Sequence, residues 1–212
     1  MKKETGDSLE QYFTNNPNLK SELRTIIYKY KGYELTFYSD NGVFSKDKLD
    51  FGSNLLLDTI FKYINKDNLK VLDVGCGYGY LGVSLSKIKN AQVTMCDINK
   101  RALHLAEKNA EANGVKDLCQ VIESNMYEHI TDRYDLIITN PPIRAGKEVV
   151  YGILDGARDR LEVDGELWMV IRKDQGAKSA IKHLEEIYNV EVVTKSKGFY
   201  IIKATKLMKG EK

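Results

Sequence analysis

From Val71 onward the chain alternates apolar runs of strand length with segments of helical period, and few folds accommodate that alternation. Lys70–Val74 is a short apolar run ending in Gly75, Leu81–Ile88 has helical spacing, and Gln92–Cys96 is a second strand. Asn99 is placed to cap a helix whose Ala102, Leu103, Ala106 and Ala110 share one face, and Gly114 is placed to stop it. Leu118–Ile122 and Tyr134–Thr139 are further strands with only a short connection between them. A helix around Val149–Leu161 ends before Asp164-Gly165, Glu166–Ile171 is a strand, Ala177–Ile187 is a helix, and the strands Val190–Thr194 and Tyr200–Ala204 follow. Strands alternating with helices form βαβ units and a parallel sheet covered on both faces. The last two strands are joined by about five residues, Lys195 to Phe199, too few for a parallel crossover, so the final strand runs antiparallel. The expected fold is α/β: a Rossmann-like, seven-stranded, mostly parallel sheet with its last strand reversed.

The segment from Met1 to about Asn68 has a different texture. Asn15-Asn16-Pro17-Asn18 reads as a turn or helix entry. Glu34–Ser39 alternates Leu35 and Phe37 with Thr36 and Tyr38, as a half-buried strand does, and Asp40-Asn41-Gly42 is a hairpin-turn signal. Leu56, Leu57, Ile60, Phe61 and Ile64 form the apolar face of a helix over Asn54–Ile64, with Ser53 as its cap. The segment is too small to stand alone, so residues 1–68 are expected as an N-terminal extension packed on a domain of residues 69–212.

With 212 residues, the chain is long enough to bury roughly 70% of its unfolded surface without a disulfide or metal staple. Cys76, Cys96 and Cys119 form no CxxC pair, and His104, His129 and His183 are scattered, so buried thiols are expected rather than a zinc site. A net charge of +2 argues against coating nucleic acid by charge alone. Locally the balance differs: Lys195 to Lys212 holds six Lys and one Glu. No membrane-length apolar run and no signal-peptide pattern follows Met1-Lys2-Lys3, so a cytoplasmic protein is expected; a monomer is expected as well.

The stretch Val71-Leu72-Asp73-Val74-Gly75-Cys76-Gly77-Tyr78-Gly79-Tyr80-Leu81-Gly82 runs from strand into helix, where glycines let a ligand approach the backbone. Gly77 to Gly82 fits GxGxxG, and Asp97 lies twenty residues beyond Gly77, where a ribose-binding acid belongs. A nicotinamide dinucleotide and S-adenosylmethionine both fit that frame. Asp73 separates them. A dinucleotide places pyrophosphate at this turn, and a carboxylate at ~4 Å would repel it by several kcal/mol. S-adenosylmethionine carries an α-ammonium and a sulfonium instead, so an acid at the strand end favours the methyl donor.

Asn140-Pro141-Pro142 follows the apolar strand Tyr134–Thr139 and so arrives at the carboxyl edge of the sheet, where ligands of open α/β sheets bind. The two prolines fix φ and bias Asn140 toward extended backbone. An exocyclic amine on a base is a poor nucleophile because its lone pair is delocalised. The Asn140 side-chain oxygen and the Pro141 carbonyl can accept its two N–H bonds, aim the lone pair and stabilise the positive charge that develops. No strong general base is needed.

Taken together, Gly42-Val43-Phe44-Ser45, Asp50-Phe51-Gly52-Ser53, Asp73 to Gly79, Asp97-Ile98-Asn99, Ser124-Asn125 and Asn140-Pro141-Pro142 resemble the class I S-adenosylmethionine-dependent methyltransferases. The chain is similar specifically to the bacterial small-subunit ribosomal RNA guanine-N2 methyltransferases of the C type, from about Tyr33 to its end. That resemblance implies S-adenosylmethionine as cofactor and ribosomal RNA or a small ribosomal particle as partner. It also implies that Phe44, Ser45 and Ser53 line the methionine end, that Ile98 packs on the adenine, and that Ser124 or Asn125 meets the adenine amine. Asp73, Gly75, Gly77, Asp97 and Asn140 complete the donor site, with Asn140, Pro141 and Pro142 as the catalytic turn.

Two departures stand out. The family commonly carries an aromatic residue after the second proline, and here that position is Ile143; Tyr12, Tyr33 or Tyr38 is a candidate replacement for stacking on a base, and Arg144 or Lys147 a candidate phosphate contact. Some members are double-length, whereas this chain holds one copy. The competing readings are a methyltransferase for another planar amine (adenine N6 or protein glutamine), a non-catalytic RNA-binding assembly factor, and the dinucleotide enzyme that Asp73 disfavours.

Overall fold

A computed structural model describes residues 20–43, 45 and 49–206. The Asn15–Asn18 turn, Tyr12 and Phe44 lie outside those residues, as does the lysine-bearing end after Lys206. Seven strands form one sheet: β3 (Lys70–Val74), β4 (Gln92–Asp97), β5 (Cys119–Glu123), β6 (Tyr134–Thr139), β7 (Leu161–Arg172), β8 (Tyr188–Ser196) and β9 (Phe199–Lys206). Their spatial order is β5-β4-β3-β6-β7-β9-β8. β9 runs antiparallel to both neighbours and β3–β7 are parallel. The tight turn Lys197-Gly198, with φ of 46° and 80°, makes that reversal.

Helices cover both faces. α1 (Phe51–Tyr63), α2 (Tyr80–Lys89) and α3 (Lys100–Ala112) lie on one; α4 (Lys147–Arg160) and α5 (Ala177–Leu184) lie on the other. Alternate strand residues serve the two cores: Leu136 and Ile138 pack with the first set, Ile137 with the second, and Trp168 and Val170 are likewise opposed to Leu167 and Met169. A sheet buried on both sides therefore reads as near-continuous apolar runs.

Four local expectations are corrected. The hairpin of the N-terminal segment joins β1 (Arg24–Tyr30) to β2 (Tyr33–Ser39) through Lys31-Gly32, both at positive φ (44° and 88°). Asp40-Asn41-Gly42 instead terminates β2. The cap of α1 is Asp50, whose side chain accepts from the Ser53 N–H, so Ser53 sits inside the first turn. β7 begins at Leu161, five residues before Glu166, because a bulge lets Leu161 pair with Tyr134 before the regular ladder resumes at Glu166. α5 stops at Leu184, three residues short of Ile187.

The hairpin is fastened to α3 by side chains that imitate a strand. Asn113 accepts from the Thr36 N–H (3.0 Å) and donates to its carbonyl (2.8 Å). One turn earlier, buried Asn109 accepts from the Tyr38 N–H (2.7 Å), donates to the Tyr38 carbonyl (2.9 Å) and also to the Tyr78 carbonyl (2.8 Å). Asn99 caps α3 as expected and donates to the Gly42 carbonyl at 3.0 Å. These bonds carry the chain after β2 to the end of the sheet where Gly75–Gly79 lies.

Candidate active site

The parallel strands deliver their carboxyl ends to one edge, and the glycine-rich turn lies between β3 and α2. Gly75 (φ 71°) and Gly77 (φ 55°) take backbone conformations that L side chains avoid, with open space where a Cβ would stand. Gly82 is needed for a different reason: a Cβ there would come within 2.8 Å of the Met95 side chain, so α2 packs tightly on β4 only with glycine. The Gly75 and Cys76 N–H groups donate to the Cys96 carbonyl at 2.9 and 3.0 Å, holding the turn against β4.

Asp73 is fully buried at the end of β3. Its Oδ2 accepts from the Gly82 N–H at 3.0 Å, while Oδ1 is buried with no hydrogen-bond partner. Burial pushes this carboxyl up to about 7, the Gly82 bond opposes that rise and the Asp97 charge adds to it. An orphaned buried acceptor beside a turn is a site that a cation satisfies. Asp97, at the end of β4, accepts from the Gly77 N–H through Oδ2 (2.9 Å) and from the Asn99 N–H through Oδ1 (2.9 Å). Burial pushes its pKa up against those backbone bonds. Ile98, next along, is 40% exposed, an apolar surface held open at the strand end.

Ser124 is engaged within its own turn. Its Oγ donates to the Met126 carbonyl (3.0 Å) and accepts from the His129 N–H (3.1 Å), although its own N–H, donating to the Asp97 carbonyl, keeps it beside the site. Asn125 is exposed, with its amide on Glu128 at 3.0 Å. Ser45 has a positive φ of 57°. The thiols of Cys76 and Cys96 are buried and raised in pKa, Cys96 to about 12, which removes thiolate chemistry. Among the described residues no group of three His, Cys, Asp or Glu could hold a metal ion, and no helix is long and apolar enough to cross a membrane.

Asn140 stands at the end of β6, anchored by Thr139, whose hydroxyl donates to the Val74 carbonyl at 2.9 Å. Its Nδ2 donates to Asp50 Oδ2 (3.0 Å) and to Ser53 Oγ (2.9 Å). The same Asp50 oxygen caps α1 through the Ser53 N–H at 2.8 Å. A carboxylate only accepts, so the amide nitrogen must face Asp50 and the side-chain oxygen must face the other way. No hydrogen bond to Asn140 Oδ1 or to the Pro141 carbonyl is present among the described residues. The structure therefore brings Ser53 and Asn140 into direct contact, and adds Asp50, a residue that the sequence shows only as part of a motif. Its signal was available: an acid three residues before Ser53 at the start of an apolar helix.

Of the aromatic candidates, Tyr33 opens β2 beside the hairpin turn, and the Tyr38 ring packs under Lys108 Nζ (4.2 Å) on α3. Neither touches Asn140. Arg144 lies in a short 3₁₀ turn after Pro142, and Lys147 opens α4, with its ammonium 4.8 Å from the Tyr151 ring; both are exposed.

Residues 34–203 match the family described as the methyltransferase small domain. The chain is 44% identical to the uncharacterized protein YbxB of Bacillus subtilis, over 93% of this chain and 99% of that one. It is 40% identical to ribosomal RNA small subunit methyltransferase C of Serratia proteamaculans, over 66% of this chain but 41% of the relative. A T. thermophilus 16S rRNA N2 G1207 methyltransferase (RsmC), solved in complex with AdoMet and guanosine, superposes with a TM-score of 0.80 at 28% identity, over 90% of this chain and 52% of that one. The chain thus spans nearly all of YbxB and about half or less of the C-type methyltransferases. The orphaned Asp73 oxygen, the open glycine turn and Asp97 fit S-adenosylmethionine, the cofactor of this fold. The chain belongs to the methyltransferase small domain family and is a class I S-adenosylmethionine-dependent methyltransferase.

Proposed function

We propose that this protein methylates the exocyclic amine, N2, of a guanine in small-subunit ribosomal RNA, acting on the RNA or on a small ribosomal particle. One observation carries the reading: the Asn140 amide is tied by its nitrogen to Asp50 and Ser53, leaving its oxygen, like the carbonyl of the next residue, Pro141, an acceptor with no hydrogen-bond partner among the described residues. A planar NH₂ has two hydrogens to match them. The matched C-type relatives and the guanosine in the T. thermophilus complex point the same way.

When bound, S-adenosylmethionine supplies an electrophilic methyl group on a sulfonium. Asp73 Oδ1 would take its ammonium, the Gly75–Gly77 backbone would admit its body, Asp97 would accept from its ribose hydroxyls, and Ile98 would cover the adenine. Ser45 and Ser53 complete the methionine end in this reading, with Phe44 beside them in sequence. Asn140 Oδ1 and the Pro141 carbonyl hold the acceptor amine by its two N–H bonds. That contact fixes the nitrogen lone pair in direction and strengthens as positive charge grows on the nitrogen. Pro142, with its carbonyl held by the Ala145 N–H at 2.9 Å, keeps the turn stiff. The surplus proton passes to water once the amine is alkylated.

The test is tritiated methyl transfer to unmodified small ribosomal particles, to naked ribosomal RNA and to bulk protein in parallel. Label in RNA supports the reading. Label confined to protein would replace guanine with a glutamine amide, and no label with the donor bound would leave a binding factor.

A further inference from the structure

Ile143 leaves the catalytic turn without an aromatic ring, yet Asp50, which holds Asn140, is followed directly by a ring that packs on a second one. Phe51 immediately follows Asp50 and is 36% exposed. Its ring centroid lies 5.5 Å from that of Phe199, the planes tilted by 51°. Phe199 presses on the first turn of α1: a Cβ at Gly52 would fall 2.8 Å from its Cε1, so only glycine lets the ring seat there. The two phenylalanines are thus built against each other rather than left loose.

Their place in the fold is informative. The donor features, Gly75–Gly77 and Asp97, belong to β3 and β4, and Asn140 to β6. Phe199 pairs with Arg172 at the end of β7, on the far side of β6 from the donor strands and at the same edge of the sheet. Basic groups surround the rings. Lys197 Nζ lies 4.8 Å over Phe51 and the Arg172 guanidinium 5.5 Å over Phe199. Lys173 follows, its N–H holding the Gly198 carbonyl at 2.8 Å and so fixing the β8–β9 turn. Arg172 is paired in turn with Asp174, at 2.9 Å, both exposed.

We propose that Phe51, backed by Phe199, is a stacking surface for an unpaired base of the acceptor RNA, and that Lys197 and Arg172 take the adjoining phosphate. An exposed ring face beside exposed cations is the combination that single-stranded nucleic acid uses: the base replaces the ammonium on the ring, and the ammonium moves to the phosphate. This rests on the RNA reading above, but it assigns the acceptor side, which that reading left without an aromatic.

The experiment measures binding of a short fluorescein-labelled single-stranded RNA by anisotropy, donor binding by calorimetry, and methyl transfer to small ribosomal particles. Wild type is compared with Phe51→Leu, Phe51→Trp and Lys197→Ala. Phe51→Leu should weaken RNA binding and raise KM for the particle by about 10-fold, within the range of one base stacked on an aromatic ring. Phe51→Trp should bind at least as tightly as wild type, Lys197→Ala should flatten the salt dependence, and donor affinity should stay within about twofold in all three. Unchanged RNA binding in Phe51→Leu overturns the proposal, as does a Phe51 dependence seen with a glutamine-bearing peptide and not with RNA. A wild type that binds RNA through Phe51 but transfers no methyl refutes the functional reading alone; one that methylates RNA while ignoring Phe51→Leu refutes the stacking surface alone.

Discussion

Asp50 does two things with one oxygen, and separating them tests how Asn140 is aimed. Oδ2 caps α1 through the Ser53 N–H at 2.8 Å and receives the Asn140 amide at 3.0 Å. Replacing Asp50 with Ser keeps a capping oxygen, but the shorter side chain leaves Asn140 with Ser53 Oγ as its remaining partner. A hydroxyl can accept from the amide nitrogen or donate to the amide oxygen, so it does not choose between the two orientations. A hydrogen bond to a charged partner is worth about 1.5–3 kcal/mol, which sets the expected loss in kcat for Asp50→Ser at about 10- to 100-fold. Asp50→Asn retains a carbonyl oxygen able to accept both bonds, so it should lose less turnover than Asp50→Ser, about 10-fold or less, the difference between a charged and a neutral hydrogen bond. Single-turnover methyl transfer, donor affinity by calorimetry and thermal unfolding separate the effects, since neither variant should move the last two appreciably. Wild-type turnover in Asp50→Ser refutes the positioning role. A fall in Asp50→Asn as deep as in Asp50→Ser would show that the charge acts, not the orientation of the amide.

Three further outcomes follow from the same geometry. Asn140→Ala should preserve fold and donor affinity and cut turnover by at least ~10²-fold, the scale of one lost preorganised contact; unchanged turnover would contradict the mechanism. Asp73→Ala should weaken donor binding while the chain stays folded, as circular dichroism and calorimetry would show. Asp73 also couples donor binding to pH. Its folded pKa is raised to about 7 by burial, so the unliganded protein loses stability as pH climbs from about 4 toward 7, while a cationic donor favours the ionised form. Donor affinity should therefore fall by roughly 10-fold between pH 7 and pH 5.5, and that slope should flatten in Asp73→Asn; an equal slope in both would place the titrating group elsewhere. Finally, Asn109→Ala leaves the Tyr38 and Tyr78 backbone groups unpaired and should cost about 2–4 kcal/mol in urea unfolding; a neutral result would mean that the hairpin is held by apolar packing alone.

Much of this architecture is written locally. β3, β4, β6 and β7 are buried on both faces, so their apolar runs are visible without neighbours, and Asn99 announces its helix because capping is a short-range bond. The reversed β9 follows from loop length, a property of the chain itself. What escaped depended on contacts distant in sequence. Asn109 and Asn113 look like ordinary helix residues until β2 arrives 71 and 77 positions away to use their amides. β1 was obscured because exposed Ile27 breaks its alternation of Ile26 and Tyr28 with polar residues. The early start of β7 rests on a bulge that only its partner strand reveals. In the site, Asp73 was legible as an acid at a strand end, but its unpartnered oxygen was not, because that depends on where α2 puts the Gly82 N–H. Asp50 and Ser53 are both capping residue types three positions apart, but nothing local shows that the capping Asp50 oxygen also holds Asn140, 90 residues away.

The most direct test of the central claim is the identity of the methylated nucleoside. Small ribosomal particles lacking the modification would be incubated with the protein and S-adenosylmethionine, and the RNA digested to nucleosides for mass spectrometry. N2-methylguanosine, formed by wild type and lost in Asn140→Ala, is the expected product. Methyl label appearing as N6-methyladenosine, or N2-methylguanosine formed equally well by Asn140→Ala, would contradict that claim.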